Sequence, residues 1–75
     1  MTKSDSLKEK SRELGQNIRK LRMRKGLTQE KMAEATSITL NYLGVIEIGN
    51  KMPSMKVLIR ISEVLGIRTK DLIPY

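Results

Sequence analysis

Residues 28–50 read TQEKMAEATSITLNYLGVIEIGN, and the fold follows from how this stretch divides. Thr28 offers a side-chain oxygen to cap a helix start. Gln29 to Ala35 are all tolerable or good helix formers, with Glu30 in the first turn where a negative charge complements the helix dipole. Thr36-Ser37-Ile38-Thr39 then breaks the run with three hydroxyl residues, whose side chains compete for backbone hydrogen bonds. Thr39 caps a further helix from Leu40 to about Ile48, which Gly49-Asn50 stops. The spacing predicts two short helices, 28–35 and 40–48, joined by a four-residue turn.

Upstream, Ser6-Leu7-Lys8-Glu9 has the S-x-x-E form of a capping box, so a helix is expected from about residue 7 to Lys25, ended by Gly26, with residues 1–6 a disordered tail. Leu7, Leu14, Ile18 and Leu21 form its apolar stripe. Gly15 costs this helix about 1 kcal/mol relative to Ala, so either the helix packs closely there or it begins later. Downstream, Pro53-Ser54 starts a helix whose buried stripe is Leu58, Ile61 and Leu65 and which Gly66 closes; a short turn from about Thr69 to Ile73 precedes Pro74. No segment alternates with period two and no internal repeat is evident. The expected fold is all-α: one domain over 1–75, a compact bundle of five short helices.

Composition narrows the chemistry. The 75 residues contain no Cys, His, Trp or Phe. Disulfides and thiolate metal sites are therefore impossible, and the commonest general base is missing, so no metal, cofactor or enzymatic activity is expected. A domain of this size buries only about 60% of its unfolded surface. Its apolar residues are aliphatic apart from Tyr42 and Tyr75 and nowhere approach the ~18-residue run of a membrane span. With no apolar segment near Met1, no secretory signal is expected, and the chain reads as cytoplasmic with no membrane partner.

The net charge of +7 is unevenly placed. Residues 1–25 hold nine basic and three acidic groups, a net of +6, and the remaining fifty residues hold +1. Five of the seven residues from Arg19 to Lys25 are basic, the footprint of a surface that faces phosphate or, alternatively, of a solvated helix face.

The run Gly26-Leu27-Thr28-Gln29-Glu30 with Met32-Ala33, then Ile38-Thr39, Tyr42-Leu43 and Ile46-Glu47-x-Gly49, followed by Pro53-Ser54, Leu58-x-x-Ile61 and Leu65-Gly66-Ile67, resembles the phage repressor and Cro type of helix-turn-helix domain, the XRE family. The resemblance covers about residues 14–73. It implies a lambda-repressor-like DNA-binding fold in which the helix from Leu40 enters the major groove.

Ala33 falls where the two helices cross, and Leu43 and Ile46 face inward with Leu27, Met32 and Ile38. Glu47 lies beside that face, where an unpaired carboxylate would be expensive. The resemblance implies Arg22 as its partner; the alternative for Arg22 is a phosphate-facing surface charge. At about 100° per residue the outward face gathers Asn41, Gly44, Val45 and Ile48, with Leu40 on its shoulder. Leu40, Asn41, Gly44 and Val45 are the base-reading candidates: Asn41 can pair bidentately with adenine, and the apolar side chains can touch thymine methyls. Gln29, Thr39, Tyr42, Asn50, Lys51, Lys56, Arg19 and Arg24 are the candidates for phosphate contact, with Lys25 adding longer-range attraction. The sequence departs from the family in having apolar Leu40, Val45 and Ile48 where polar or basic side chains are usual. It also has Ser37 where Gly is usual, at a cost of order 1 kcal/mol for a left-handed residue.

The function these residues imply is sequence-preferring binding of double-stranded DNA by a bacterial or phage transcription regulator, working as a homodimer on a palindromic operator. Val57, Val64, Leu72, Ile73 and Tyr75 are the expected dimer surface, with intramolecular packing the alternative. The competing reading is a protein-interaction or antitoxin-like helix-turn-helix module that uses the apolar face of the same helix. No small-molecule ligand is evident.

Overall fold

The computed structural model describes residues 3–75. Among them the secondary structure is entirely helical, in the order α1 Lys3–Arg24, α2 Gln29–Thr36, α3 Leu40–Glu47, α4 Met55–Leu65 and α5 Thr69–Leu72. Three of the starts are fixed by side-chain caps. Thr28 Oγ1 accepts from the Lys31 amide at 3.1 Å, Thr39 Oγ1 from Tyr42 at 3.0 Å and Ser54 Oγ from Val57 at 3.3 Å. Each such cap contributes about 1 kcal/mol.

The turn between α2 and α3 forms one residue later than the hydroxyl run implied. Thr36 is the last residue of α2, buried, with its hydroxyl donating to the Met32 carbonyl at 2.7 Å, so it is satisfied without leaving the helix. Ser37 then takes φ 60° and ψ 38°, the single non-glycine residue with positive φ among those described. Its amide bonds the Glu34 carbonyl at 3.2 Å and the Ile38 amide bonds Ala33 at 3.0 Å, closing the C-terminus of α2.

Of the expected tail, residues 3–6 are helical. α1 begins at Lys3, Ser6 lies inside the helix rather than capping it, and Leu7 is 56% exposed instead of joining the stripe. No Gly or Pro interrupts residues 3–14, so nothing stops the helix from propagating through the S-x-x-E segment. Residues 1 and 2 lie outside the described residues. Gly15 does pack closely: a Cβ there would run into the Ile46 carbonyl oxygen and lie 2.7 Å from that of Glu47. Gly49 answers from the other side with φ +83° and a missing Cβ that would stand 2.7 Å from the Arg12 Cα. These two glycines let α1 cross the end of α3 backbone to backbone.

The core is formed by Leu14, Ile18, Met32, Ala33, Leu43, Ile46, Leu58, Ile61 and Leu65, joined by Val57 and Leu72. The last two correct the expected dimer surface. Val57 is 9% exposed and Leu72 is fully buried, so both are used up by packing within the chain. The Asn17 side-chain amide donates to the Leu72 carbonyl and ties α5 to α1. Leu27 and Ile38, expected inside, are only half-buried.

Candidate nucleic-acid interface

The outward side of α3 is built as the spacing predicts. Leu40 is 45% exposed and Ile48, which caps the helix, is 64% exposed. Asn41 is exposed, Gly44 and Val45 are half-buried, and no atom lies within 4 Å of where a Gly44 Cβ would stand. The sole ionisable carboxylate of α3 is Glu47, and it points away from this face into the protein. The face is therefore neutral, with one strongly hydrogen-bonding side chain, Asn41.

Glu47 anchors the scaffold behind it. Its Oε2 accepts from Arg22 Nε at 2.7 Å and its Oε1 from Arg22 Nη2 at 3.0 Å, a two-pronged ion pair with side-chain exposures of 9% and 1%. Gln29 Nε2 also donates to Oε1, at 3.0 Å, and Arg22 Nη1 donates to the Leu27 carbonyl at 2.7 Å. The hydrogen bond to Glu47 raises the Arg22 pKa above its already high ordinary value; burial opposes the rise, and the charges of Glu47 and Glu30 add to it. One cluster thus locks the end of α1, the start of α2 and the end of α3 together.

Around the neutral face lie the polar candidates. Gln29 is half-buried and holds Glu47, so its side chain offers one remaining amide hydrogen, beside the first N–H groups of α2 that have no intrahelical acceptor. Thr39 is exposed; its oxygen accepts from the Tyr42 amide, which leaves its hydroxyl hydrogen to donate. Tyr42 is half-buried with Lys51 Nζ 5.9 Å from its ring centre, so these two candidates stand together. Asn50, Lys51 and Lys56 are exposed, in the loop after α3 and the first turn of α4.

An open groove of about 830 Å³ runs along α1, lined by Arg12, Gln16, Arg19, Arg22, Thr28, Gln29, Glu30, Glu47 and Ile48. It brings Arg19 beside Gln29 and the exposed end of α3. Arg24 is exposed but is not part of this lining, and Lys25 Nζ stands near Gly66, at the end of α4. Arg12 and Gln16 were not among the sequence candidates. Their spacing with Arg19, four and then three residues apart, was the available signal.

A family model described as helix-turn-helix matches residues 18–72. The chain belongs to the XRE-type helix-turn-helix family. It is 42% identical over 60 residues to the uncharacterized HTH-type transcriptional regulator YazB of Bacillus subtilis, covering 80% of this chain and 87% of that one. It is 34% identical over 62 residues to the control protein C.BamHI of Bacillus amyloliquefaciens, covering 81% and 76%. The crystal structure of the restriction-modification controller protein C.AhdI from Aeromonas hydrophila superimposes with a TM-score of 0.80 at 31% identity, covering 83% of this chain and 94% of that one. No helix among the described residues is long and apolar enough to cross a membrane.

Proposed function

We propose that this helix-turn-helix chain prefers particular DNA sequences and acts by occupying an operator, as a homodimer and as a repressor. DNA-binding transcription regulation is what the family and its regulator relatives support. The observation that carries the finer reading is the exposed side of α3, held in place by the Arg22–Glu47–Gln29 cluster and flanked by donors on both sides. Gln29 and Arg19 serve one backbone; Thr39, Tyr42, Asn50, Lys51 and Lys56 serve the other. Leu40, Asn41, Gly44 and Val45 meet the bases. With Asn41 as the main hydrogen-bonding reader, discrimination relies on thymine-methyl contact and DNA shape as well.

A single domain of this size reads a half-site, so two copies on a palindrome are the working form. With Val57 and Leu72 inside the core, the dimer surface falls to Val64, Ile73 and Tyr75, joined by Met55 and Ile59, exposed one turn apart on α4. Selection of binding sites from random duplexes, with sedimentation of the free and bound protein, tests this reading. The expected outcome is an enriched palindrome bound by two chains. A pool that stays random, or a selected site bound by one chain, contradicts it.

The exposure of Leu40 and Ile48 on one helix favours one second reading, a docking face for a partner protein. Salt separates the two. Binding through phosphates weakens steeply as salt rises, whereas an apolar contact does not.

A further inference from the structure

α1 begins at Lys3, well ahead of the family match that starts at Ile18, and it carries most of the charge. At about 100° per residue, Lys8, Arg12 and Arg19 share one narrow strip with Gln16 at its edge. All four side chains are exposed. The strip borders Gly15, where α1 touches the end of α3, so its position relative to α3 is fixed by backbone contact. Arg12, Gln16 and Arg19 line the groove that also holds Gln29, Thr28 and the exposed Ile48. Glu9 and Glu13 follow beyond Gln16, on the side of the strip away from Gly15, and Glu13 lines a neighbouring hollow with Gln16 and Pro74. Of the two carboxylates lining the groove, Glu47 is neutralised by Arg22, and Glu30 has no ion-pair partner among the described residues.

From Lys8 to Arg19 the strip spans about 16 Å of helix, a length that takes in about five phosphates of one strand when counted along the duplex axis. We propose that the Lys8–Arg12–Gln16–Arg19 side of α1 is a second phosphate-binding track, gripping the DNA backbone alongside the groove that α3 enters. The proposal rests on the reading of α3 as the DNA-facing helix. It extends the contact assigned to Arg19 along the whole exposed side of α1, and it explains why the basic residues are concentrated there while α3 has none.

The test is the affinity of the full chain for one labelled duplex across a series of salt concentrations. Arg12→Gln/Arg19→Gln is compared with wild type and with Lys70→Gln, an exposed cation on α5. The double variant should lower the slope of log affinity against log salt by about two, so that its loss of affinity between 50 and 200 mM salt is about tenfold smaller than wild type's. Lys70→Gln should keep the wild-type slope. Glu30→Gln should tighten binding, because it removes the opposing carboxylate. Lys8→Gln, at the exposed end of α1, should lower the slope by about one even if the double variant folds poorly. If wild type binds with a steep salt dependence while Lys8→Gln and a folded double variant keep its slope, the track is refuted and the role of α3 stands. If wild type binds no duplex at low salt, both readings fail.

Discussion

The Glu47 carboxylate is the most consequential polar group in the fold, and replacing it with Ala gives the sharpest stability prediction. It accepts from Arg22 Nε, Arg22 Nη2 and Gln29 Nε2, and its side chain is 1% exposed. Glu47→Ala strands a guanidinium that keeps only the Leu27 carbonyl as a partner. Breaking a buried pair on one side costs about 3–5 kcal/mol. A chain of this length has roughly 4–11 kcal/mol of stability in total. At about 4–8 °C per kcal/mol, the melting temperature should fall by about 12–40 °C, measured by circular dichroism at 222 nm. The exposed pair Arg68–Asp71, with side chains 72% and 49% exposed, is the control: Asp71→Ala should move it by a few degrees at most. Because the Arg22 pKa is raised on folding, its stabilising charge is fully present below the ordinary arginine value and is lost only above it. The gap between wild type and Glu47→Ala should thus be the same at pH 7 and pH 9. Replacing both partners with apolar side chains, Arg22→Met with Glu47→Leu, should recover most of the loss, since no charge is then left stranded. A Glu47→Ala variant melting within about 3 °C of wild type, or a double variant no more stable than the single one, would mean that Glu47 does not hold a buried charge in place.

Asn41→Ala should cost about 1–3 kcal/mol on the selected operator and relax the preference at one base position, whereas Lys51→Ala should weaken all duplexes alike and lower the salt slope by about one. An equal loss across sequences for Asn41→Ala, measured by competition titration, would remove it from base reading. Gly15→Ala should destabilise by about 1–3 kcal/mol in urea unfolding although Ala is the better helix former, because its methyl group meets the Ile46 and Glu47 carbonyls; a gain in stability would show that α1 and α3 can move apart freely. Ser37→Gly should raise stability by up to about 1 kcal/mol, since it relieves the left-handed side chain, and an unchanged urea midpoint would mean that Ser37 carries no strain there.

What could be read in advance was whatever depends on a few neighbouring residues. Thr28, Thr39 and Ser54 act as caps because a hydroxyl three residues before a free amide has only local geometry to satisfy. The outward position of Leu40, Asn41, Gly44, Val45 and Ile48 follows from helix period once the inward pair Leu43 and Ile46 is recognised. The start of α1 was misread because Ser6 and Glu9 satisfy a local rule that an uninterrupted helix does not need. Val57 and Leu72 are buried because α4 packs on α2 and α5 and because α5 closes over α1, which no local pattern encodes. Arg12 and Gln16 share a helix face with Arg19 in the sequence already. What that face adjoins was set by the crossing at Gly15, between residues more than thirty apart in the chain.

In the proposed function attraction and reading are separated: basic residues outside α3 draw in the duplex, and the neutral face of α3 selects the sequence. The affinities of wild type for its selected operator and for a scrambled duplex, measured over the same salt series, test this most directly. Two parallel lines of log affinity against log salt are expected, equally steep and offset by a constant preference for the operator, because α3 contributes no cation to the difference. Coincident lines, or an operator preference that vanishes as salt rises, would contradict it.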